Sequence, residues 1–171
     1  ANELIREPGH VYDYDARGNL TFRDGESFQT NALNQFIHCT YDPRGNMTKW
    51  NDIELFYNEL NHLTRATRQG TIVDYKTDLF GRRLQRKEAN KVLRFFYIGT
   101  TEIGSLDSAG NIVELKIPEQ VTSEYALGAV GIEIDGKQYQ PRTNLSGDIV
   151  GLIDLSSSEI ESYSYTAFGE T

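Results

Sequence analysis

The side chains best equipped for chemistry are a histidine beside the single cysteine, His38-Cys39, and a surplus of carboxylates. A thiolate nucleophile needs a base within hydrogen-bond reach, and neighbours on an extended strand point to opposite faces. The pair therefore predicts a half-buried structural cysteine rather than a catalytic one. His10, His38 and His62 are scattered, with no His-x-x-x-His or Cys-x-x-Cys spacing, so no metal site is expected. Gly128-Ala129-Val130-Gly131 lacks the glycine spacing of a dinucleotide loop and reads as a plain loop. Asn19-Leu20-Thr21 and Asn46-Met47-Thr48 match the N-glycosylation sequon, but both lie in a repeat that dictates Asn and Thr there. No catalytic, metal-binding or cofactor-binding residue is assigned, no cofactor is expected, and the chain is not expected to be an enzyme.

The carboxylates have a structural use. Tyr14-Asp15-Ala16-Arg17-Gly18-Asn19-Leu20-Thr21 and Tyr41-Asp42-Pro43-Arg44-Gly45-Asn46-Met47-Thr48 agree at six of eight positions. In each, Asp accepts backbone hydrogen bonds at the first turn position, and Gly three residues on supplies a left-handed conformation that closes a type I turn into a bulged hairpin. Looser copies run from Tyr57 to Thr64, with Asn61 in the glycine place, and from Asp78 through Gly81 to Leu84. Others are Asp107 through Gly110 to Val113, Asn144 to Gly147, and Tyr165 to Gly169. The markers Asp15, Asp42, Asn58, Asp78 and Asp107 are unequally spaced, which fits hairpins of varying arm length laid side by side rather than a helical solenoid.

The elements that must carry these turns are strands. Tyr12 and Tyr14 alternate with acidic residues, and Leu20 and Phe22 alternate beyond the first turn, the period of a half-buried hairpin. Reversals are expected at Asp24-Gly25, Asn51-Asp52, Gly70, Asn90-Lys91 and, as a two-residue hairpin, Asp135-Gly136. Arms are expected at Phe36–Tyr41, Ile53–Tyr57, Val92–Ile98, Ile149–Ile153 and Tyr163–Tyr165, with Ser156-Ser157-Ser158 a polar loop. Ten Tyr and eight Phe against one Trp suit strands, and no amphipathic helix is visible. No apolar run is long enough for a membrane span. Net charge is −8, divided into five basic and ten acidic side chains in residues 1–62, nine and three in 63–94, and three and twelve in 95–171. A basic middle can mark nucleic acid, but solvated strand faces explain it, and the overall acidity predicts no nucleic-acid partner. Ala1-Asn2-Glu3-Leu4 has no signal-peptide anatomy, and the abrupt ends lead us to expect a piece of a longer polypeptide.

The octapeptides and their succession resemble the YD repeat of RHS-repeat proteins, which include bacterial polymorphic toxins, the C components of insecticidal toxin complexes, and teneurins. The stretch from Asn144 to Asp154 resembles the Asp-His-Leu-Gly-Ser-Val motif that opens the RHS-associated core, although Asn144-Leu145 replaces Asp-His and Gly147-Asp148 replaces Gly-Ser. Tyr163-Ser164-Tyr165-Thr166-Ala167-Phe168-Gly169-Glu170 resembles the segment that follows it, with Thr166 at an Asp position. The resemblance implies an all-β, antiparallel hairpin-repeat strip that is part of a spiralling shell. Residues 1–98 would be YD/RHS hairpin repeats and 99–171 further hairpins leading into the core, in one continuous architecture. It implies a secreted or cell-surface structural segment that encloses or presents a C-terminal toxin or effector. Its partners would be the rest of its own shell polypeptide and the enclosed segment, and the isolated fragment would self-associate. The alternative is an adhesion or glycan-binding module whose tyrosines, Tyr12 and Tyr57 among them, stack on sugars; cross-strand aromatic pairing explains them more simply.

Overall fold

Alternating residues between turn-forming Gly, Asn and Asp produce a run of short antiparallel strands and, among the described residues, no helix. The computed structural model describes residues 5–7, 9–121, 126–145 and 147–165. By contact density the chain divides into two units, Ala1–Leu55 with Tyr165–Thr171, and Phe56–Ser164.

In the first unit, β1 (Arg6–Glu7), β2 (His10–Tyr14), β3 (Leu20–Arg23) and β4 (Glu26–Ser27) form a four-stranded meander in chain order. Tyr12 pairs with Arg23 and Asp13 with Phe22, then the register slips by one residue at Tyr14↔Leu20, leaving Thr21 as the extra residue of a bulge on β3. After β4 the chain makes an isolated bridge, Thr30↔Phe36, and turns rather than a strand. Phe28 N donates to Thr21 O at 2.8 Å and Asn19 Nδ2 to Asn34 Oδ1 at 3.0 Å, which ties this segment to the β2–β3 hairpin. The expected arm Phe36–Tyr41 therefore shrinks to β5 (Thr40–Tyr41), because Phe36 to Cys39 is occupied by that turn. β6 (Met47–Trp50) pairs with β5 and with the start of β7 (Ile53–Tyr57).

In the second unit the meander continues from the end of β7 through β8 (Leu63–Arg68), β9 (Thr71–Thr77), β10 (Arg83–Glu88), β11 (Lys91–Ile98), β12 (Thr101–Leu106) and β13 (Ile112–Ile117). A small hairpin, β14 (Gln120–Val121) with β15 (Ala126–Leu127), leaves the sheet. The chain returns to pair β16 (Gly131–Ile134) with β13, then adds β17 (Lys137–Thr143), β18 (Ile149–Asp154) and β19 (Glu159–Ser162). Among the described residues every registered pairing is antiparallel, and none closes the sheet into a barrel.

Two expected boundaries move. The reversal written as Asn90-Lys91 is Ala89-Asn90, with Ala89 at φ 48°, because Lys91 is already paired with Glu88. The last arm, expected at Tyr163–Tyr165, ends at Ser162; Tyr163 N makes one further rung to Val150 O at 2.9 Å, next to the first residue of β18.

The core is sparse. Among the described residues only Tyr12, Cys39, Ile132 and Leu152 are buried apolar side chains, joined by the buried Ser105. A sheet hides a face only against a second layer, so most apolar side chains here stay half-exposed. Among the described residues no helix is long and apolar enough to cross a membrane.

Candidate functional site

The feature repeated most often is a five-residue turn. In the Asp42 copy, Asp42 N donates to Asn46 O at 2.9 Å and Gly45 N to Asp42 O at 3.0 Å. Asp42 Oδ1 accepts from the backbone N–H of Arg44 and of Asn46, both at 2.9 Å, while Oδ2 accepts from Asn46 Nδ2 at 2.9 Å. One carboxylate thus satisfies the donors that the tight turn leaves over. The same bonds recur at Asp15 with Gly18 and Asn19, and at Asp107 with Gly110 and Asn111. At Asp78 with Gly81, Arg82 takes the last place. The glycines sit at φ 81° (Gly18), 86° (Gly45), 82° (Gly81) and 91° (Gly110), where side-chain-bearing residues are strained.

Asparagine builds the same turn at Asn58, with Asn61 at φ 62°, and at Asn144, with Gly147 at φ 88°. Two further copies escape the Tyr-Asp-x-x-Gly pattern. Asn31 Oδ1 accepts from Leu33 N and Gln35 N with Asn34 at φ 60°, and Asp154 Oδ1 accepts from Ser156 N and Ser158 N with Ser157 at φ 65°. Among the expected motif residues, Tyr14 and Tyr41 end the strands that lead into their turns. Tyr165 lies outside the strands, and Gly169 lies outside the described residues.

Charge follows the turn. Asn19 lowers the pKa of Asp15, Asn46 that of Asp42, Asn111 that of Asp107, and the Ser156 hydroxyl that of Asp154, each side chain as the main cause and each helped by backbone N–H donors. At Asp78 burial pushes upward most strongly, yet the bonds from Arg82 and the backbone together outweigh it and the pKa is lowered. The Asn19 and Asn46 amides that the sequons would offer for glycosylation are both bound to these carboxylates.

The register also sorts the side chains of the second unit into two faces. Ala66 faces Val73, Tyr75 faces Arg86, which faces Leu93, and Phe95 faces Ser105. Farther along, Ile132 faces Tyr139 and Pro141 faces Leu152. On this apolar face lie three ion pairs, Arg86–Glu88 at 2.5 Å, Lys116–Glu114 at 3.4 Å and Arg83–Glu102 at 3.2 Å, together with Lys137 opposite Ile134. Arg83 also covers the Phe95 ring at 4.2 Å, and Tyr97 donates to Glu102. Burial first, and then Glu102, raise the Tyr97 pKa. The opposite face presents Arg65, Asp74, Lys76, Lys87 and Arg94. The basic middle of the sequence is thus partly a solvated sheet face.

Two expectations are corrected. Tyr12 is completely buried, so it cannot serve as a sugar platform; the segment after β4 folds onto the hairpin that carries it. His38 and Cys39 are separated by a turn rather than by strand alternation, with Cys39 buried and His38 exposed against Phe28 and Phe36. Among the described residues no three His, Cys, Asp or Glu side chains gather as metal ligands would.

No family model matches the chain. It is 30% identical over 193 aligned positions to the tRNA3(Ser)-specific nuclease WapA of Bacillus spizizenii and to the tRNA nuclease WapA of Bacillus subtilis strain 168. Each alignment takes in 98% of this chain but 8% of the relative, so the chain spans a small part of the length of these proteins. A chain from a structure of the Photorhabdus luminescens Tc holotoxin pore matches 95% of this chain with 10% of its own length, at a TM-score of 0.59 and 16% identity. The chain therefore shares its antiparallel β fold with a segment of that toxin structure.

Proposed function

We propose that this chain belongs to the RHS/YD-repeat proteins and forms a wall segment of a hairpin shell that encloses a toxic polypeptide, secreted or displayed at the cell surface. The observation that carries this reading is the sheet itself: one Asx turn repeated along a single layer whose more apolar face sets Arg83, Arg86 and Lys116 against carboxylates. Such a face is suited to lie against an enclosed chain, because three of its cations are answered by carboxylates in place and aliphatic and aromatic surface lies between them. The opposite face, with Lys76 and Lys87 outward, is suited to water.

In this reading the hairpins are not an enzyme. Their mechanism is containment: a polypeptide held against the apolar face is kept from proteases and from its targets until release. The similarity to WapA along nearly the whole chain supports the toxin association, and any nuclease activity would reside in other parts of the longer polypeptide. Limited proteolysis tests the proposal. In the full-length polypeptide, the segment carried with these hairpins should resist a protease that digests it rapidly once expressed alone. Equal digestion rates in the two settings would overturn the reading.

A further inference from the structure

The one tryptophan of the chain, Trp50, ends β6 in the first unit and is 48% exposed. It lines a cleft of about 420 Å³ whose other walls come from the β3–β4 turn and from the segment between β4 and β5. All of the lining falls within residues 23–51, so one unit holds the whole cleft. Its walls are preformed. Asp24 at φ 50° and Gly25 at φ 93° make the two-residue β3–β4 turn. Asp24 pins that turn to β2, accepting from Val11 N at 3.0 Å and meeting His10 Nδ1 at 2.6 Å. His38 is held against Phe28 and Phe36, with ring centroids 6.2 and 5.5 Å apart. Three rings, Phe28, His38 and Trp50, thus line the cleft beside Glu26 and Asn51. Among the described residues no hydrogen bond or ion pair occupies the Glu26 carboxylate, the Asn51 side-chain amide or the Trp50 indole N–H, and His38 makes ring contacts alone. The turn repeat dictates none of these residues, since all lie outside the octapeptides at 14–21 and 41–48.

We infer that this cleft binds a neutral sugar, with Trp50 as the stacking platform and Glu26 and Asn51 taking its hydroxyls. The volume falls in the range of about 300–1,000 Å³ usual for small-ligand sites. The open groups are of both kinds: Glu26 accepts, the Trp50 N–H donates, and the Asn51 amide and the His38 ring do both. A hydroxyl-rich ring, which donates and accepts along its edge and offers C–H groups on its face, answers all of them. A lysine or arginine side chain only donates, and would cover the Trp50 N–H and the Asn51 Nδ2 without giving them an acceptor. Asp24 and Glu26 outnumber Arg23 in the lining, which opposes phosphate, and with it nucleotides and acidic sugars. An apolar ligand would strand the Glu26 charge. The cleft belongs to the first unit, so sugar binding stands or falls apart from containment by the sheet of the second.

Saturation-transfer NMR on the full-length polypeptide tests this, with maltose, cellobiose and N,N′-diacetylchitobiose as probes and argininamide and adenosine monophosphate beside them. Saturation should pass to at least one disaccharide and to neither charged probe. Trp50→Ala should abolish the transfer, and Glu26→Ala should weaken binding by on the order of tenfold or more. The Glu26 side chain is exposed and has no hydrogen bond or ion pair to lose, so this variant keeps the test valid if Trp50→Ala misfolds. Phe80→Ala, which removes an exposed ring of the second unit, should change nothing. Absence of transfer to every disaccharide, transfer indifferent to either cleft variant, or equal loss with Phe80→Ala would overturn the proposal. So would cleft-dependent transfer to argininamide or adenosine monophosphate in place of the sugars.

Discussion

Asn144 Nδ2 donates to Asp148 Oδ2 across 2.9 Å, the reverse of the bond in the Asp42 turn, where Asn46 Nδ2 donates to Asp42 Oδ2. In five of the turns a side-chain hydrogen bond likewise joins the first and fifth residues with matched polarity, and in the Asp78 turn Arg82 makes it. Asp at the first place meets a donor at the fifth, as in Asp15–Asn19, Asp78–Arg82 and Asp107–Asn111. Asn at the first place meets an acceptor, as in Asn31–Gln35 at 2.9 Å.

This predicts an exchange experiment. Asp42→Asn trades a charge-assisted carboxylate–amide bond for a weaker neutral amide–amide bond of the kind Asn31 and Gln35 make, and should lower the melting temperature by roughly 2–4 °C. Adding Asn46→Asp should restore most of the loss, since the pair then copies Asn144–Asp148. Additive losses in the double variant would show that the pairing is incidental.

Gly45→Val should destabilise by about 1–3 kcal/mol, the cost of a left-handed backbone for a β-branched residue. There is room for the side chain, as a Cβ at Gly45 would have only Gln35 Nε2 nearby, at 3.9 Å. The loss should therefore nearly vanish in Gly45→Asn, because Asn34 and Asn61 hold the same place in their own turns. Chemical denaturation of the two variants separates conformational strain from crowding.

The acid limb follows from the turn carboxyls. Asp15, Asp42, Asp78, Asp107 and Asp154 all have folded pKa values below their ordinary value of 3.8, so their contribution is complete above that value and is lost as the pH falls through the folded ones. The melting temperature should thus hold from neutral pH to about 5 and drop below about 4. The double variant, Asp42→Asn with Asn46→Asp, takes one carboxyl from the first place of this turn and installs another at the fifth, so its acid limb should keep its sign. Rising stability below the ordinary aspartate value would contradict the bonding described.

Gly104 lies opposite Phe96, and a Cβ there would fall 2.3 Å from Glu114 O and 2.6 Å from Phe96 Cζ. Gly104→Ala should cost about 1–3 kcal/mol through overpacking, although no left-handed conformation is involved. Thermal melting beside Gly110→Ala, whose site is open but left-handed, distinguishes the two mechanisms.

The strands and most reversals were legible because the octapeptides at Tyr14 and Tyr41 join a turn acid, a left-handed glycine and alternating arms in a short stretch. The Asn31 and Asp154 turns were not legible, because Asn34 and Ser157 stand where glycine was sought. The matching of first and fifth residues, visible in Asn31–Gln35, is a signal that could have found the first of them. The burial of Tyr12 was hidden for another reason. Alternation assigns a side chain to a face but does not say whether that face is covered. The sorting of charges was hidden likewise, since it depends on register across β8 to β12.

Photo-crosslinking from the two faces of the second unit tests the central claim most directly. A photoreactive phenylalanine analogue would be placed in the full-length polypeptide at Tyr75 or Phe95, on the apolar face, and at Lys76 or Lys87, on the charged face. A wall segment around an enclosed chain predicts internal crosslinks to that chain from Tyr75 and Phe95 and none from Lys76 or Lys87. Crosslinks from the lysine positions instead, or equally from both faces, would contradict it.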